Sequence, residues 1–493
     1  MEDLIVTAVD FVIDTFRRLP WHWLIAGIHT VLAPLTAIHA MLYKRDSRAA
    51  LGWFSVCLFF PLAGPITYLL FGINRIQTEA RRLLSHGLFR LRVGYERGSV
   101  NTPKVSDKIS LESPLHRFMR VSDRITSRLL TEGNHVELLQ NGEQAYPAII
   151  AAIGEAQSYI YLTTYIFETD PVGREIIAAL VGARDRGVDV RVIVDGIGEL
   201  YAWPHASRLL RKHGIKVAKF LPPKLLPPTL YINLRNHRKI LVIDGNQGFT
   251  GGMNLGGRHM VNAGGKHCTA DIHFKVRGPV VSQLQATFVN DWKFVTKETL
   301  SVNENPIARA GECYCRCISD GPNDDLDQIS LSIKTAIATA VDSVFILTPY
   351  FLPTREMVAV LQSTALRGVA ITVILPEKSN LRFVDWASRN LLWELLQFDI
   401  KVFYQPAPFA HSKLLLVDDF YVQLGSANQD PRSLRLNFEL NMEVIGEGFV
   451  GELRRYIDAI CQKSRPITQA EVDNRPIFAR LRDAFCWLFL PYL

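Results

Sequence analysis

The chain has 493 residues, more than one hydrophobic core usually serves, so two or three domains are expected. Apolar residues at 48% and charged residues at 21% exclude a disordered chain, and seven scattered cysteines do not form a disulfide framework. A net charge of +7 points to an anionic partner, either nucleic acid or an acidic membrane surface.

From Trp21 to Tyr43 the chain reads WHWLIAGIHTVLAPLTAIHAMLY, and from Ala49 to Ile73 AALGWFSVCLFFPLAGPITYLLFGI, with no Lys, Arg, Asp or Glu in either. Each run is long enough for a bilayer core of ~30 Å at ~1.5 Å per residue. Aromatic residues gather toward their ends (Trp21, Trp23, Tyr43, Trp53, Tyr68, Phe71), as at lipid–water interfaces. The acidic start MEDLIVTAVDFVID and the long first run do not suit a cleaved signal peptide. Residues 1–75 are therefore expected to be a membrane anchor with two transmembrane helices, about 21–43 and 49–73. Arg17, Arg18, Arg75, Arg81, Arg82 and Arg90 flank this hairpin, against Lys44, Arg45 and Arg48 in its turn, which favours a cytoplasmic N-terminus and a cytoplasmic C-terminal part. Residues 76–130, polar and Arg-rich at first, read as a linker and a surface helix.

Beyond residue 130 two similar halves follow. QSYIYLTTYIFETD, a helical EIIAALVGARDRGVDV and VRVIVDG are matched by DSVFILTPYFLPTR, EMVAVLQSTALRGVAI and ITVILPE. Tyr165 matches Tyr350, and Gly187 matches Gly368. Short β-branched runs between amphipathic helical patterns predict βαβ units and a mostly parallel sheet. Between the halves, ECYCRC alternates like a strand with three sulfurs on one face, whereas a zinc site normally takes C-x2-C pairs at turns.

Each half then carries one further motif. NHRKILVIDG supplies His237, Lys239 and Asp244; AHSKLLLVDD supplies His411, Lys413 and Asp418, each 174 residues after its counterpart. The same offset relates Gly251 and Asn254 in TGGMN to Gly425 and Asn428 in LGSAN. Residues at i and i+2 of a strand share a face, so each histidine points with its lysine. Packed about a pseudo-twofold axis, the halves bring two imidazoles, two ammonium groups and two asparagine amides to one cleft, which suits a phosphodiester. One histidine attacks phosphorus and forms a phosphohistidine; the other protonates the leaving alkoxide and then deprotonates the acceptor. The lysines carry the charge work, so no metal and no cofactor is called for. Asp271 and Glu439 are the candidates for orienting the two imidazoles. Asp244 and Asp418 sit where each motif strand turns, and their residue type leaves turn formation and a catalytic role both open.

The pair HRKILVID and HSKLLLVD, each followed by G-[GS]-x-N, resembles the duplicated HKD motif of the phospholipase D superfamily. PLAGPITYLLFG, TPYFLPT, WASRNLLWELL and DPRSLRLNFE extend the similarity, over nearly the whole chain, to bacterial cardiolipin synthases of the membrane-anchored type. The resemblance implies an α/β fold of two pseudo-twofold related phospholipase D-like α/β/α halves, residues 131–310 and 311–493, behind the transmembrane hairpin. It implies transfer of a phosphatidyl group between two phosphatidylglycerol molecules, giving cardiolipin and glycerol. The active-site residues it implies are His237, Lys239, Asp244, His411, Lys413 and Asp418, with His237 as nucleophile, and Asn254, Asn428 and Ser426 on the phosphate. Gly252 departs from the pattern where many relatives carry serine.

The implied partners are phosphatidylglycerol and other anionic lipids of a bacterial inner membrane, with no nucleic acid. PPKLLPPTLYINL before His237 reads as a lipid-touching rim loop or a Pro-rich connector. The tail DAFCWLFLPYL, too short to span, is suited to the interface or to packing on the domain. A hydrolytic phospholipase D would use the same residues, and a non-catalytic lipid-binding protein the same scaffold.

Overall fold

The computed structural model describes residues 21–44, 47–72, 114–126, 128–223, 234–263, 268–301, 307–321 and 327–489. The chain divides into two compact units, Met1–Glu79 and Ala80–Leu493. The linker expected from residue 76, most of the PPKLLPPTLYINL segment and the last four residues of the tail lie outside the described residues.

In the first unit, helix Trp21–Tyr43 packs on helix Ser47–Phe59, with Ala37, Ala40, Cys57 and Tyr68 buried between them. The expected continuous helix over 49–73 is not formed. Pro61 supplies no backbone N–H and Leu62 takes a positive φ of 55°, so the chain turns into the short helices Ala63–Thr67 and Tyr68–Gly72. No helix among the described residues is long and apolar enough to cross a membrane.

The second unit is built on one mixed sheet. Its first half holds β1 (Thr131–Gln140), β2 (Tyr159–Thr164), β3 (Asp189–Asp195), β4 (Lys216–Phe220), β5 (Ile240–Ile243), β6 (Gln247–Gly251), β7 (Thr269–Ala270) and β8 (Ile272–Arg277). The second holds β9 (Cys313–Asp320), β10 (Ser343–Leu347), β11 (Ala370–Pro376), β12 (Lys401–Gln405), β13 (Phe409–Ala410), β14 (Leu414–Val417), β15 (Tyr421–Gly425), β16 (Glu439–Ile445) and β17 (Arg465–Pro466).

Fifteen strands pair in the order β17-β12-β11-β10-β14-β15-β16-β9-β1-β8-β6-β5-β2-β3-β4. Outward from the β9–β1 junction, β16, β15, β14, β10, β11 and β12 correspond to β8, β6, β5, β2, β3 and β4. The repeat read in the sequence is thus a pseudo-twofold in the sheet. Only β2-β3-β4 and β10-β11-β12 are parallel; the other neighbours are antiparallel. The mostly parallel sheet expected from the βαβ rhythm is therefore corrected. Crossover helices join those parallel neighbours, whereas the tight turns at Asp244 and Asp418 force an antiparallel return.

The crossover helices form where the amphipathic patterns placed them, at Pro171–Asp185 and Arg355–Leu366. Asp170 and Thr354 cap their N-termini, and Gly187 and Gly368, each at φ 91°, end them in the left-handed region. Along β5, Ile240 and Val242 face a core shared by both halves, while Leu241 and Ile243 face a core private to the first half. Helices Val281–Thr296 and Glu447–Lys463 cover the shared side, which completes an α/β/α layering. The ECYCRC run is the strand it looked like, with Cys313, Cys315 and Cys317 on that shared core. Helix Pro114–Ile125 is less a surface helix than expected: Phe118, Met119 and Ser122 are buried, and the Ser122 hydroxyl donates to Glu443 Oε1 at 2.8 Å.

Candidate active site

The antiparallel pairing of β5 with β2 and of β14 with β10 puts both His–Lys pairs at the same end of the sheet. Thr163 faces Ile240, and Leu347 faces Leu414, so His237 and His411 lie just past the C-terminal ends of β2 and β10. Open sheets offer ligand clefts at that edge. Each lysine ammonium donates to the carbonyl oxygen of the histidine two residues before it, which fixes both side chains on one face.

Each imidazole is held by the opposite half. His237 Nδ1 lies 3.2 Å from Glu439 Oε1, and His411 Nδ1 lies 2.8 Å from Asp271 Oδ2. The backbone enforces the exchange. The His237 N–H donates to the Phe438 carbonyl at 2.9 Å, and the His411 N–H to the Ala270 carbonyl at 2.7 Å. Next to that second bond, β7 and β13 pair in parallel, Ala270 against Ala410. Both carboxylates are fully buried, while the rings keep part of their surface open. With Nδ1 committed to a carboxylate, Nε2 is the nitrogen left on each ring for a substrate.

Burial pulls the Lys239 ammonium down to about 8 and that of Lys413 to about 7, despite the carboxylates nearby. Burial also lowers His237 and His411, and for His411 the charges of Lys413, Lys239 and His237 act the same way. The crossed contacts of His237 with Glu439 and of His411 with Asp271 bring the two half-sites together. Burial raises Asp271. Glu439 is also pushed up by burial, yet its attraction to His237 leaves it below the usual range. Two lysines stand opposite two carboxylates, and burial biases both imidazoles toward the neutral form.

The other expected site residues divide. Ser426 Oγ donates to Glu439 Oε2 at 2.5 Å and accepts from the Leu440 N–H at 3.0 Å, so it holds the carboxylate that faces His237. At the equivalent Gly252 a Cβ would stand 2.5 Å from Asp271 Oδ1: the shorter acid occupies the space a serine would need. The departure at Gly252 thus matches the change from Glu439 to Asp271. Asn254 Oδ1 accepts from the Ile166 N–H at 3.2 Å, and Asn428 Nδ2 donates to Ser433 Oγ at 3.2 Å.

Asp244 and Asp418 are not in the cleft. Asp244 lies at the other end of β5, five residues beyond Lys239, or ~16 Å along an extended strand. Its carboxylate accepts from the backbone N–H groups of Gln157 at 2.8 Å, Ser158 at 2.8 Å and Tyr159 at 2.9 Å. Asp418 does the same for Val341, Asp342 and Ser343. Both have positive φ, 50° and 49°. In these bonds both carboxylates lock a turn, and the strand between carries them to the edge away from the histidines.

Several residues of the site escaped the motif reading. The Tyr165 ring lies 4.3 Å from that of His237 and the Tyr350 ring 6.4 Å from that of His411. Their match across the repeat was the available signal. Asn437 Nδ2 donates to Glu439 Oε1 at 3.2 Å. Beneath His237, Arg238 bonds Asp291 at 2.5 Å and the Glu439 carbonyl at 3.1 Å, while Arg235 pairs with Asp195 at 3.2 Å. In the second half Ser412 and Phe409 take those places, so the half-sites share a plan but not a polarity.

Residues 149–292 and 333–461 match the family model described as Cardiolipin synthase, PLD-like domain, and residues 31–72 match one described as Phospholipase_D-nuclease N-terminal. Cardiolipin synthase A of Pseudomonas aeruginosa (strain LESB58) is 32% identical over 450 residues, covering 90% of this chain and 90% of its own. Major cardiolipin synthase ClsA of Bacillus subtilis (strain 168) is 30% identical over 465 residues, covering 91% of this chain and 95% of its own. Among solved structures, the phosphatidylserine synthase of Haemophilus influenzae Rd KW20 shares the fold, with a TM-score of 0.59 at 14% identity over 76% of this chain and all of that one.

Proposed function

This chain belongs to the phospholipase D-like cardiolipin synthase family, and from that premise we propose that it moves a phosphatidyl group from one phosphatidylglycerol to another, giving cardiolipin and glycerol. The crossed histidine–carboxylate pairs carry the reading, since they give a cleft with two imidazoles, two ammonium groups and both ring Nε2 atoms free.

The anionic phosphodiester draws a proton onto His411; His237 Nε2 then attacks phosphorus, and the bond to the glycerol headgroup breaks as His411 protonates the leaving oxygen. The Glu439 carboxylate, kept ionised, stabilises the positive charge that the phosphorylated His237 ring acquires. A glycerol hydroxyl of the second phosphatidylglycerol then passes its proton to His411 and attacks phosphorus, which releases His237. Lys239 and Lys413 offset the charge that builds on the non-bridging oxygens. The substrate brings one negative charge, which matches one imidazolium in a site otherwise balanced.

The lipid assignment also draws on the first unit. Its two uncharged runs and the exposed stripe Val31, Leu35, Ile38 and Leu42 on helix Trp21–Tyr43 favour a hairpin seated in a bacterial inner membrane, with the catalytic part cytoplasmic. In phosphatidylglycerol vesicles the purified protein should form cardiolipin and release glycerol without nucleotide or added metal, and His237→Ala or His411→Ala should abolish both. Phosphatidic acid and glycerol as the sole products would make the chain a hydrolase instead.

A further inference from the structure

Helix Ile477–Trp487 wears its apolar stripe outward. Phe478, Leu481 and Phe485, with Leu488 just beyond, follow the three- and four-residue spacing of one helix face. All are more than half exposed, Phe478 at 82%. The opposite face buries a charge: Asp483 pairs with Arg475 at 2.6 Å and Arg482 at 2.7 Å, next to a small core of Cys486, Ala387 and Leu391. That inversion of the usual pattern leaves a large apolar surface facing out.

The surface continues to the mouth of the cleft. Helix Arg382–Arg389 packs beside it, and the exposed Phe383 ring lies 5.7 Å from that of Phe489. Just ahead of this helix, Asn380 Oδ1 accepts from the Tyr350 hydroxyl at 2.7 Å, beside His411. In the other half, the equivalent connection after β3 exposes Leu200, Tyr201 and Trp203, the last at 79%. The Tyr201 ring lies 6.4 Å from that of Tyr165, beside His237, and the Tyr350 phenol is within electrostatic reach of both. Apolar groups therefore flank the mouth from both halves.

Their charge is one-signed. Arg208, Arg382 and Arg480 are exposed in these segments, whereas Glu199 and Asp385 are paired with Lys219 and Arg389, and Asp483 with both Arg475 and Arg482. Aromatic and aliphatic side chains interleaved with arginines are the composition that sits in an anionic lipid interface.

We propose that Leu200, Tyr201 and Trp203 on one side, and Phe383, Phe478 and Phe485 on the other, form a docking surface that seats the cleft mouth on an anionic phospholipid bilayer. The inference rests on the lipid substrate proposed above: acyl chains leaving a phosphate site at the strand ends must pass this mouth, and a bilayer against it spares them water.

A benzophenone amino acid introduced singly at Phe478, Phe485 or Trp203 tests this in the full-length protein reconstituted into phosphatidylglycerol–phosphatidylcholine vesicles. Leu366, equally exposed but at the opposite edge of the sheet, is the control. Light-driven adducts to lipid at the three positions and not at the control are expected. Adducts to a second copy of the chain, no adducts, or equal labelling of the control would overturn the proposal. The double variant Phe478→Ser/Phe485→Ser should lose about tenfold of its cardiolipin formation on vesicles, yet stay within about twofold on monomeric short-chain phosphatidylglycerol. Equal loss on both substrates, or none on vesicles, would also overturn it. Lipid adducts from a protein that forms no cardiolipin would leave the surface standing and remove the transferase reading.

Discussion

Glu439, in the second half, faces His237, in the first, at 3.2 Å, and Asp271 returns the exchange to His411 at 2.8 Å. Each imidazole is held by a carboxylate of the other half, so the pseudo-twofold interface is part of the proposed catalytic apparatus. Glu439→Gln and Asp271→Asn keep shape but remove the charge that sets the tautomer. Each should lower kcat by about 10²–10⁴-fold with KM little changed. Steady-state kinetics on phosphatidylglycerol vesicles measures this, and a variant with normal kcat would remove its carboxylate from the mechanism.

Ser426 and Gly252 make unequal tests of equivalent positions. Ser426→Ala deletes one hydrogen bond to Glu439, worth about 1–3 kcal/mol beside a charge, and should lower kcat by roughly 10–100-fold. Gly252→Ser drives a Cβ into the Asp271 carboxylate and should cost more, although the hydroxyl brings position 252 closer to the common family pattern. If Gly252→Ser raised activity, the space argument for glycine would be wrong.

Asp244→Asn and Asp418→Asn should mainly cost stability. Each carboxylate accepts three backbone N–H bonds that fix the start of β2 or β10, and the neutral amide satisfies them poorly. A loss of about 1–3 kcal/mol per site is expected, seen as a lower Tm, with activity of the folded fraction kept within about threefold. Full inactivation of a well-folded Asp244→Asn protein would restore a chemical role to this residue.

The pH profile of kcat/KM should be displaced toward acid on both sides. Neutral His237 is required for attack and burial lowers it, so the acid limb lies below 6.5, while His411 takes up its proton as the anionic phosphodiester binds. The lysines must stay protonated to hold phosphate; with Lys413 near 7 and Lys239 near 8, the alkaline limb falls in that range. A bound phosphodiester stabilises the ammonium groups, so the same limb in kcat should move to higher pH. An alkaline limb near 10.5 in kcat/KM would mean that burial does not act on these lysines.

The two halves, the pairing of His237 with Lys239 and of His411 with Lys413, and the acids Asp271 and Glu439 were all legible along the chain. Period-two alternation places a histidine and a lysine on one face wherever the strand lies, and a matched offset reveals a duplicated fold. What a strand's far neighbours are is not written in its own spacing. The exchange of carboxylates between halves, the backbone bonds that Asp244 and Asp418 make at their turns, and the bond from Ser426 to Glu439 came only with the sheet. The continuous second apolar helix failed for a similar reason: hydropathy reports what can be buried, not that Pro61 and Leu62 turn the backbone. Local periodicity fixes which side chains travel together, while partners across a pseudo-twofold axis depend on backbone pairing between Phe438 and His237, and between Ala270 and His411, that only the folded chain creates.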